Sequence, residues 1–319
     1  MTTPAPPVVK VAIVGVGTIG RGWAALSAAN GWHTALYDTE VNTADRAVAE
    51  VARRARALVA VGRAQGETVE AGLQQVRLGR SLLQACGEAD WIIESVNEDL
   101  SLKQRVFDNI DQVARPDAVI SSSSSGLPIT EIASRCRDQS RCIVAHSLNP
   151  PELIPLVEVV PGKFTAPATT ETVRGWLRAL GRIPITLKRE VPGNAVGRIS
   201  AAVWRECIDL VLSGVMDVDD IDRAVSLGPG LGWAAAGPHL TYHLGAGEGG
   251  VNVFLQQLLM SFETWWGSLA QWTKLEPEQV RALTSQIERA YGDKLETIRE
   301  ARDRRLAAML KGLEAARKQ

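Results

Sequence analysis

Val11-Ala-Ile-Val14-Gly15-Val-Gly17-Thr-Ile-Gly20-Arg-Gly22 is the stretch on which the fold of this chain turns. Its four opening residues are apolar and rich in β-branching, as a short buried strand requires. Three glycines follow at GxGxxG spacing, and the small-residue run at 23–30 reads as a helix. In that spacing the first glycine permits the turn. The second lets backbone approach a pyrophosphate, and the third lets helix meet strand. The motif alone is weak, but here it joins a strand to a helix whose first amides would face phosphates. Asp38 ends the next expected strand, residues 34–37, where a ribose-binding acid belongs. Gly15, Gly17, Thr18, Ile19, Gly20 and Asp38 therefore form a candidate dinucleotide site. A carboxylate at Asp38 would accept from both ribose hydroxyls of NAD and repel the extra phosphate of NADP, so NAD is the expected cofactor. FAD is the other option, although its enzymes usually need more chain for a second binding region.

Working outward, strand and helix keep alternating: helix at 41–61, strand at 91–94, helix at 102–113, strand at 118–121. Repeated β-α-β implies a parallel, doubly wound sheet. Further strands are expected at 141–145, 156–160 and 183–187, with a helix at 169–180. Beyond Pro192 no strand is evident, while 196–212 and 251–262 have helical length and composition. The expected fold is α/β: a doubly wound Rossmann-type domain over residues 1–190 and an all-α domain over residues 191–319. Residues 278–318 are heavily charged but place Leu295, Ile298, Leu306, Met309, Leu310 and Leu313 at helical spacing, which reads as a solvated helix with one packed stripe.

With 319 residues, 45% of them hydrophobic, the chain can bury a sizeable core. Thirty-five Lys plus Arg balance thirty-six Asp plus Glu, a formal net charge of -1 that supplies no field for nucleic acid or an anionic membrane. Cys86, Cys136, Cys142 and Cys207 form no CxxC pair, so neither a disulfide framework nor a zinc module is expected, and a cytoplasmic setting fits best. The opening Met1-Thr-Thr-Pro-Ala-Pro-Pro7 lacks the pattern of a secretory signal and reads as a flexible lead-in. Residues 227–247, free of formal charge, hold Pro229, Pro238 and several glycines. They read as loops and short helices rather than a membrane span.

Among four histidines, His146 is the best placed for proton transfer, at the end of an expected strand. Glu158 interrupts the apolar Leu156-Val-Glu-Val-Val160, and a carboxylate inside a buried strand needs a partner. Paired with it, His146 could remove a hydroxyl proton during alcohol oxidation. The alternative is a satisfied core histidine beside an unrelated strand carboxylate. His239 and His243 would share a helix face, but no third ligand is evident, and no metal is expected. The serine run 121–125 serves either for capping or for placing hydroxyls in the crevice of His146. Trp204, Trp233, Trp265, Trp266 and Trp272 crowd the second half, as core or as a cage for a quaternary ammonium.

Several motifs together resemble the 3-hydroxyacyl-CoA dehydrogenase superfamily. They are the glycine turn, Glu94-Ser-Val-Asn97-Glu98 with Lys103, the serines before Leu127-Pro-Ile-Thr130, and His146-Ser-Leu-Asn149-Pro150 followed by Leu156-Val-Glu158-Val. The resemblance continues through Gly228-Pro-Gly230-Leu-Gly232-Trp233 and Gly237-Pro238, and so covers nearly the whole chain. Leu240-Thr-Tyr-His-Leu244, Gly247-Glu-Gly-Gly250 and Trp272-Thr-Lys-Leu275 lean towards the λ-crystallin (L-gulonate 3-dehydrogenase) and L-carnitine dehydrogenase branch. That resemblance implies NAD-dependent oxidation of a free L-3-hydroxy acid to the 3-keto acid. CoA thioester oxidation is the alternative, and a crystallin-like structural role the non-enzyme one. It further implies His146 as acid/base, Glu158 as its orienting partner, Ser125 as a donor to the substrate oxygen, and Glu98 and Lys103 beside the cofactor. A homodimer through the helical half is implied as well. Where the acyl-CoA enzymes carry a catalytic Asn this chain has Gly197, and Asn194, one turn earlier, is the expected substitute.

Overall fold

The computed structural model describes residues 8–292 and 295–316. Residues 1–7, Asp293, Lys294 and residues 317–319 lie outside the described residues, and with them the expected N-terminal lead-in and the end of the charged C-terminal run. The chain divides into two compact units, residues 1–198 with 306–308, and residues 199–305 with 309–319.

The first unit opens with β1 (Lys10–Val14), α1 (Thr18–Ala29), β2 (His33–Tyr37), α2 (Val41–Ala60), α3 (Gly66–Leu73), β3 (Val76–Leu78) and α4 (Leu82–Cys86). There follow β4 (Trp91–Glu94), α5 (Leu100–Val113), β5 (Val119–Ser122), α6 (Ile129–Ile132), β6 (Cys142–Ser147), β7 (Leu156–Pro161), α7 (Pro167–Ala179) and β8 (Ile183–Thr186). The eight strands form one sheet in the order β3-β2-β1-β4-β5-β6-β7-β8. Side chains alternate across it, as strand geometry demands. Val11 and Ile13 pack with Trp23, Leu26, Val51 and Leu177 on one face, while Ala12 and Val14 pack with Phe107, Ile110 and Ile132 on the other. Burial of each large apolar side chain contributes about 1.5–3 kcal/mol. The helices thus cover both faces and leave the carboxyl ends of the strands as the place for a ligand.

All adjacent strands are parallel except β6 and β7, which pair antiparallel with His146 opposite Glu158. The expectation of a uniformly parallel sheet fails at this one pair. Residues 148–155, which join the two strands, contain no crossover helix, and a parallel return needs a dozen or more residues.

The helix α8 (Asn194–Leu212) spans the boundary between the units. It is followed by α9 (Val218–Leu227), α10 (Pro229–Ala236), α11 (Pro238–Gly245), α12 (Gly250–Ser268), α13 (Pro277–Tyr291) and α14 (Leu295–Ala316). The uncharged stretch 227–247 does fold as short helices, and no helix among the described residues is long and apolar enough to cross a membrane. The single C-terminal helix expected over 278–318 is instead two helices, α13 and α14. Within the second unit a small core gathers Ile208, Val211, Ile221 and Leu283.

Candidate active site

Every candidate residue of the first unit sits at or just beyond the carboxyl end of a strand, apart from Glu158, Lys103 and Asn194. The glycine turn follows β1, with Gly15 at φ +90°. A Cβ on Gly15 would lie 2.8 Å from the backbone of Ser95, and one on Gly20 only 2.0 Å from the carbonyl oxygen of Gly15. These two glycines are required for the backbone to close on itself. Gly17 is different: a Cβ there would meet nothing within 4 Å, because this position faces a cleft of about 410 Å³ lined by Gly15, Tyr37, Asp38, Ser95, Val96 and Asn97. Asp38 accepts from the amides of Val16 at 2.9 Å and Glu40 at 3.0 Å, one on each carboxylate oxygen. Each oxygen keeps a lone pair for a ribose hydroxyl. Open space at Gly17, the N-terminus of the twelve-residue α1 and an acid at the end of β2 fit a dinucleotide.

Beside this cleft lies a network the sequence only partly disclosed. Glu94, at the end of β4, is fully buried and accepts from Ser122 Oγ at 2.6 Å, Val96 N at 2.7 Å and Lys103 Nζ at 2.8 Å. Burial pushes its carboxyl above the ordinary range, against the pull of Lys103. Lys103, itself 1% exposed, also donates to the carbonyl of Val96 and approaches Glu98 at 3.3 Å. Glu98 in turn accepts from Ser124 Oγ at 2.6 Å, Ser125 N at 3.0 Å and Gly126 N at 3.2 Å. Burial opposes the charge of Glu98, but the Ser124 hydroxyl, Lys103 and the Gly126 amide together hold its carboxyl below the ordinary range. The network ties the cofactor-side loop to the serine loop. Glu94 carried no assigned role in the sequence reading. Like Glu158, it is a carboxylate in an otherwise apolar strand, the sign that marks a buried partner.

His146 and Glu158 do meet. Nδ1 of His146 stands 2.8 Å from Glu158 Oε2, and both side chains are buried. An ionised carboxylate only accepts, so Nδ1 is the donor in this pair and Nε2 is the ring nitrogen left for another partner. Glu158 Oε1 accepts from the amides of Ala195 and Val196 at 2.9 Å each, at the start of α8. Burial alone would raise this carboxyl; His146 and the two amides outweigh it and hold it below the ordinary range. Ser125 is exposed on the loop after β5. Asn194, at φ +46° and buried, directs its amide nitrogen at the carbonyl of Ser125, 3.2 Å away. That amide therefore anchors the serine loop.

In the second unit, His243 Nδ1 accepts from the amide of Val251 at 3.1 Å. Among the described residues no cluster of three His, Cys, Asp or Glu side chains is arranged to hold a metal ion. The tryptophans do not surround one point. Trp265 and Trp266 pack on Phe262, Trp272 donates to Asp209 at 2.8 Å, and Trp204 lines a separate cavity with Cys207, Asp222 and Tyr291.

Comparison with known proteins adds to this geometry. Residues 10–191 match the family model of the 3-hydroxyacyl-CoA dehydrogenase NAD binding domain, and residues 193–283 that of the 3-hydroxyacyl-CoA dehydrogenase C-terminal domain. The L-carnitine dehydrogenase of Streptomyces griseus is 36% identical over 95% of this chain and 89% of its own length. That of Streptomyces coelicolor is 36% identical over 98% and 96%. Among solved structures, 5-formyl-3-hydroxy-2-methylpyridine 4-carboxylic acid 5-dehydrogenase, an NAD+ dependent dismutase, is 30% identical with a TM-score of 0.83, covering 97% of this chain and 99% of that one. NAD is the cofactor of the first unit.

Proposed function

The chain belongs to the 3-hydroxyacyl-CoA dehydrogenase family, and from that premise we propose that it oxidises the 3-hydroxyl of a free L-3-hydroxy acid of the carnitine type to the 3-keto acid. The observation that carries the reading is the buried His146–Glu158 pair, with the second carboxylate oxygen fixed by two amides. The likeness to L-carnitine dehydrogenases over nearly the whole chain supports the substrate class. NAD, when bound, supplies the acceptor for the two electrons that leave the carbinol carbon. The turn from Gly15 to Gly20, with Thr18 and Ile19, would hold its pyrophosphate, and Asp38 its ribose.

The protein's own part is proton transfer and positioning. Nε2 of His146 takes the hydroxyl proton, and the positive imidazolium that results is stabilised by Glu158, which also fixes the tautomer. Ser125 donates to the substrate oxygen. Asn194 positions Ser125 through its carbonyl, while Glu98 and Lys103 brace the loops on the cofactor side. Residues 1–190 serve the cofactor and the chemistry, with Asn194 and the amides of Ala195 and Val196 supporting it from the start of residues 191–319, which serve the substrate and pairing of two copies. The four free cysteines support a reducing, cytoplasmic setting.

The test is the initial rate of NADH formation with L-carnitine, L-gulonate, L-3-hydroxybutyrate and L-3-hydroxybutyryl-CoA at equal concentrations. Preference for L-carnitine is expected. Preference for the thioester overturns the reading in favour of acyl-CoA chemistry.

A further inference from the structure

The segment that leaves β6 after His146 lies against helix α1. A Cβ on Gly22 would stand 2.6 Å from Glu152 Oε2 and 2.7 Å from Pro151 Cδ, so helix and segment touch with nothing between them. A single guanidinium fastens the contact. Arg54, on α2, donates from Nη1 to the carbonyl of Thr18 at 3.2 Å and to Glu152 Oε1 at 3.3 Å, while its Nε donates to Glu50 at 2.9 Å. Thr18 opens the helix whose first amides face the cofactor. From the other side Arg182 donates to the carbonyls of Pro151 at 3.4 Å and of Glu152 and Ile154 at 3.3 Å each, so the backbone that carries Glu152 is fixed as well.

This ion pair is poorly suited to serve stability alone. The side chains of Arg54 and Glu152 are only 17% and 9% exposed, and taking both charges out of water offsets most of what their attraction returns. Two apolar side chains would hold helix and segment together at least as well. What the ion pair supplies, and an apolar contact does not, is a fixed direction and length. Here that length spans the two halves of the reaction. The hydride acceptor is held from the start of α1, and the hydroxyl proton leaves towards His146. An error of about 1 Å between reacting groups slows transfer on the order of a hundredfold.

We propose that Arg54 and Glu152 are positioning residues for hydride transfer, whose ion pair holds the dinucleotide turn and the segment after His146 in register. The inference rests on the reading of His146 as the base that deprotonates a 3-hydroxy acid. To that reading it adds two residues that act through the elements they join.

The experiment compares the wild type with Glu152→Gln, Glu152→Met, Arg54→Met and the double variant Arg54→Met/Glu152→Met. It reads the thermal midpoint without cofactor, the Kd for NADH, and the single-turnover rate of NADH formation at saturating NAD. The substrate is L-carnitine or, if the wild type prefers it, L-3-hydroxybutyrate. Each single Met variant strands a charge and should melt below wild type, and the double variant should recover the midpoint. The single-turnover rate is expected to fall about tenfold or more in every variant, and no further in the double than in the singles, as for groups that act as a unit. The Kd for NADH should stay within about threefold of wild type. An apolar pair that restores the rate together with the midpoint overturns the proposal, because the contact is then structural. So does a Kd for NADH that rises as much as the rate falls, which would assign Arg54 to cofactor binding through Thr18. Glu152→Gln keeps the size of the side chain and decides the matter if the apolar pair fails to fold: a rate within about threefold of wild type overturns the proposal. A wild type that binds NADH but oxidises neither acid overturns the reading of His146, and this inference with it.

Discussion

At the scale of single residues, chemistry and architecture separate cleanly. Gly17 and Gly20 belong to one motif yet do different work, because only Gly20 is closed in by backbone. Gly17→Ala should fold with a thermal midpoint close to wild type while its Kd for NAD rises at least tenfold. Gly20→Ala should be lowered in stability by several kcal/mol, as substitutions against fixed backbone are; calorimetry and NAD titration of both variants check the contrast. His146→Ala should retain NAD binding and lose about 10²–10⁴-fold in kcat, the usual worth of a positioned base. Glu158 adds a pH dependence. Its carboxyl is held below the ordinary range in the fold, so the unfolded chain takes up the proton first as pH falls. The stability it contributes is present in full above the ordinary carboxylate range and is lost as pH drops through the lowered one. Urea unfolding should place Glu158→Gln about 1–3 kcal/mol below wild type at pH 7, with the gap narrowing below about pH 4. A gap independent of pH would refute the charged role.

At the scale of elements, what the sequence disclosed depended on whether an element is specified locally. Strand β4 and helix α5 were legible because an apolar run and an amphipathic period each announce themselves. Strand β3, Val76–Leu78, was not, since three residues at a sheet edge carry no period and owe their strand state to pairing with β2. The direction of β7 was hidden for a related reason: residue composition does not report strand polarity, and only the missing crossover helix in 148–155 did. The His146–Glu158 pair was readable from two strands taken separately, whereas the Glu94–Lys103–Glu98 network was legible only as a motif and not in its contacts, because it joins β4, α5 and two loops. That network supports a prediction of its own. Lys103→Met would leave Glu94 buried without its cation, a change that costs about 3–5 kcal/mol. Adding Glu94→Gln should recover a substantial part, as the stranded charge is then gone. Denaturation midpoints of the two single variants and the double variant form the cycle. A cost below about 1 kcal/mol for Lys103→Met would mean that the pair contributes little.

At the scale of the molecule, the near-neutral net charge leaves apolar surface as the main handle for association. The second unit carries a good deal of it. Leu244, Met260, Trp265 and Trp266 on α11 and α12 are more than half exposed, Met260 at 80%. Single exposed leucines need no explanation, but Trp265 and Trp266 belong to a joined aromatic group with Tyr242, Phe254 and Phe262. A patch that is both aromatic and contiguous marks a contact surface, and a closed pair of identical chains satisfies it with the same patch on both sides. Light scattering on a sizing column should therefore give twice the chain mass for the wild type at micromolar concentration. Trp265→Glu combined with Trp266→Glu would place charges on each facing surface, with no counterpart to neutralise them, and should shift the population to single chains while the first unit still binds NAD. A wild type that runs as a single chain at that concentration would refute the pairing. A charged double variant that remains a dimer would place the interface elsewhere on the helical unit.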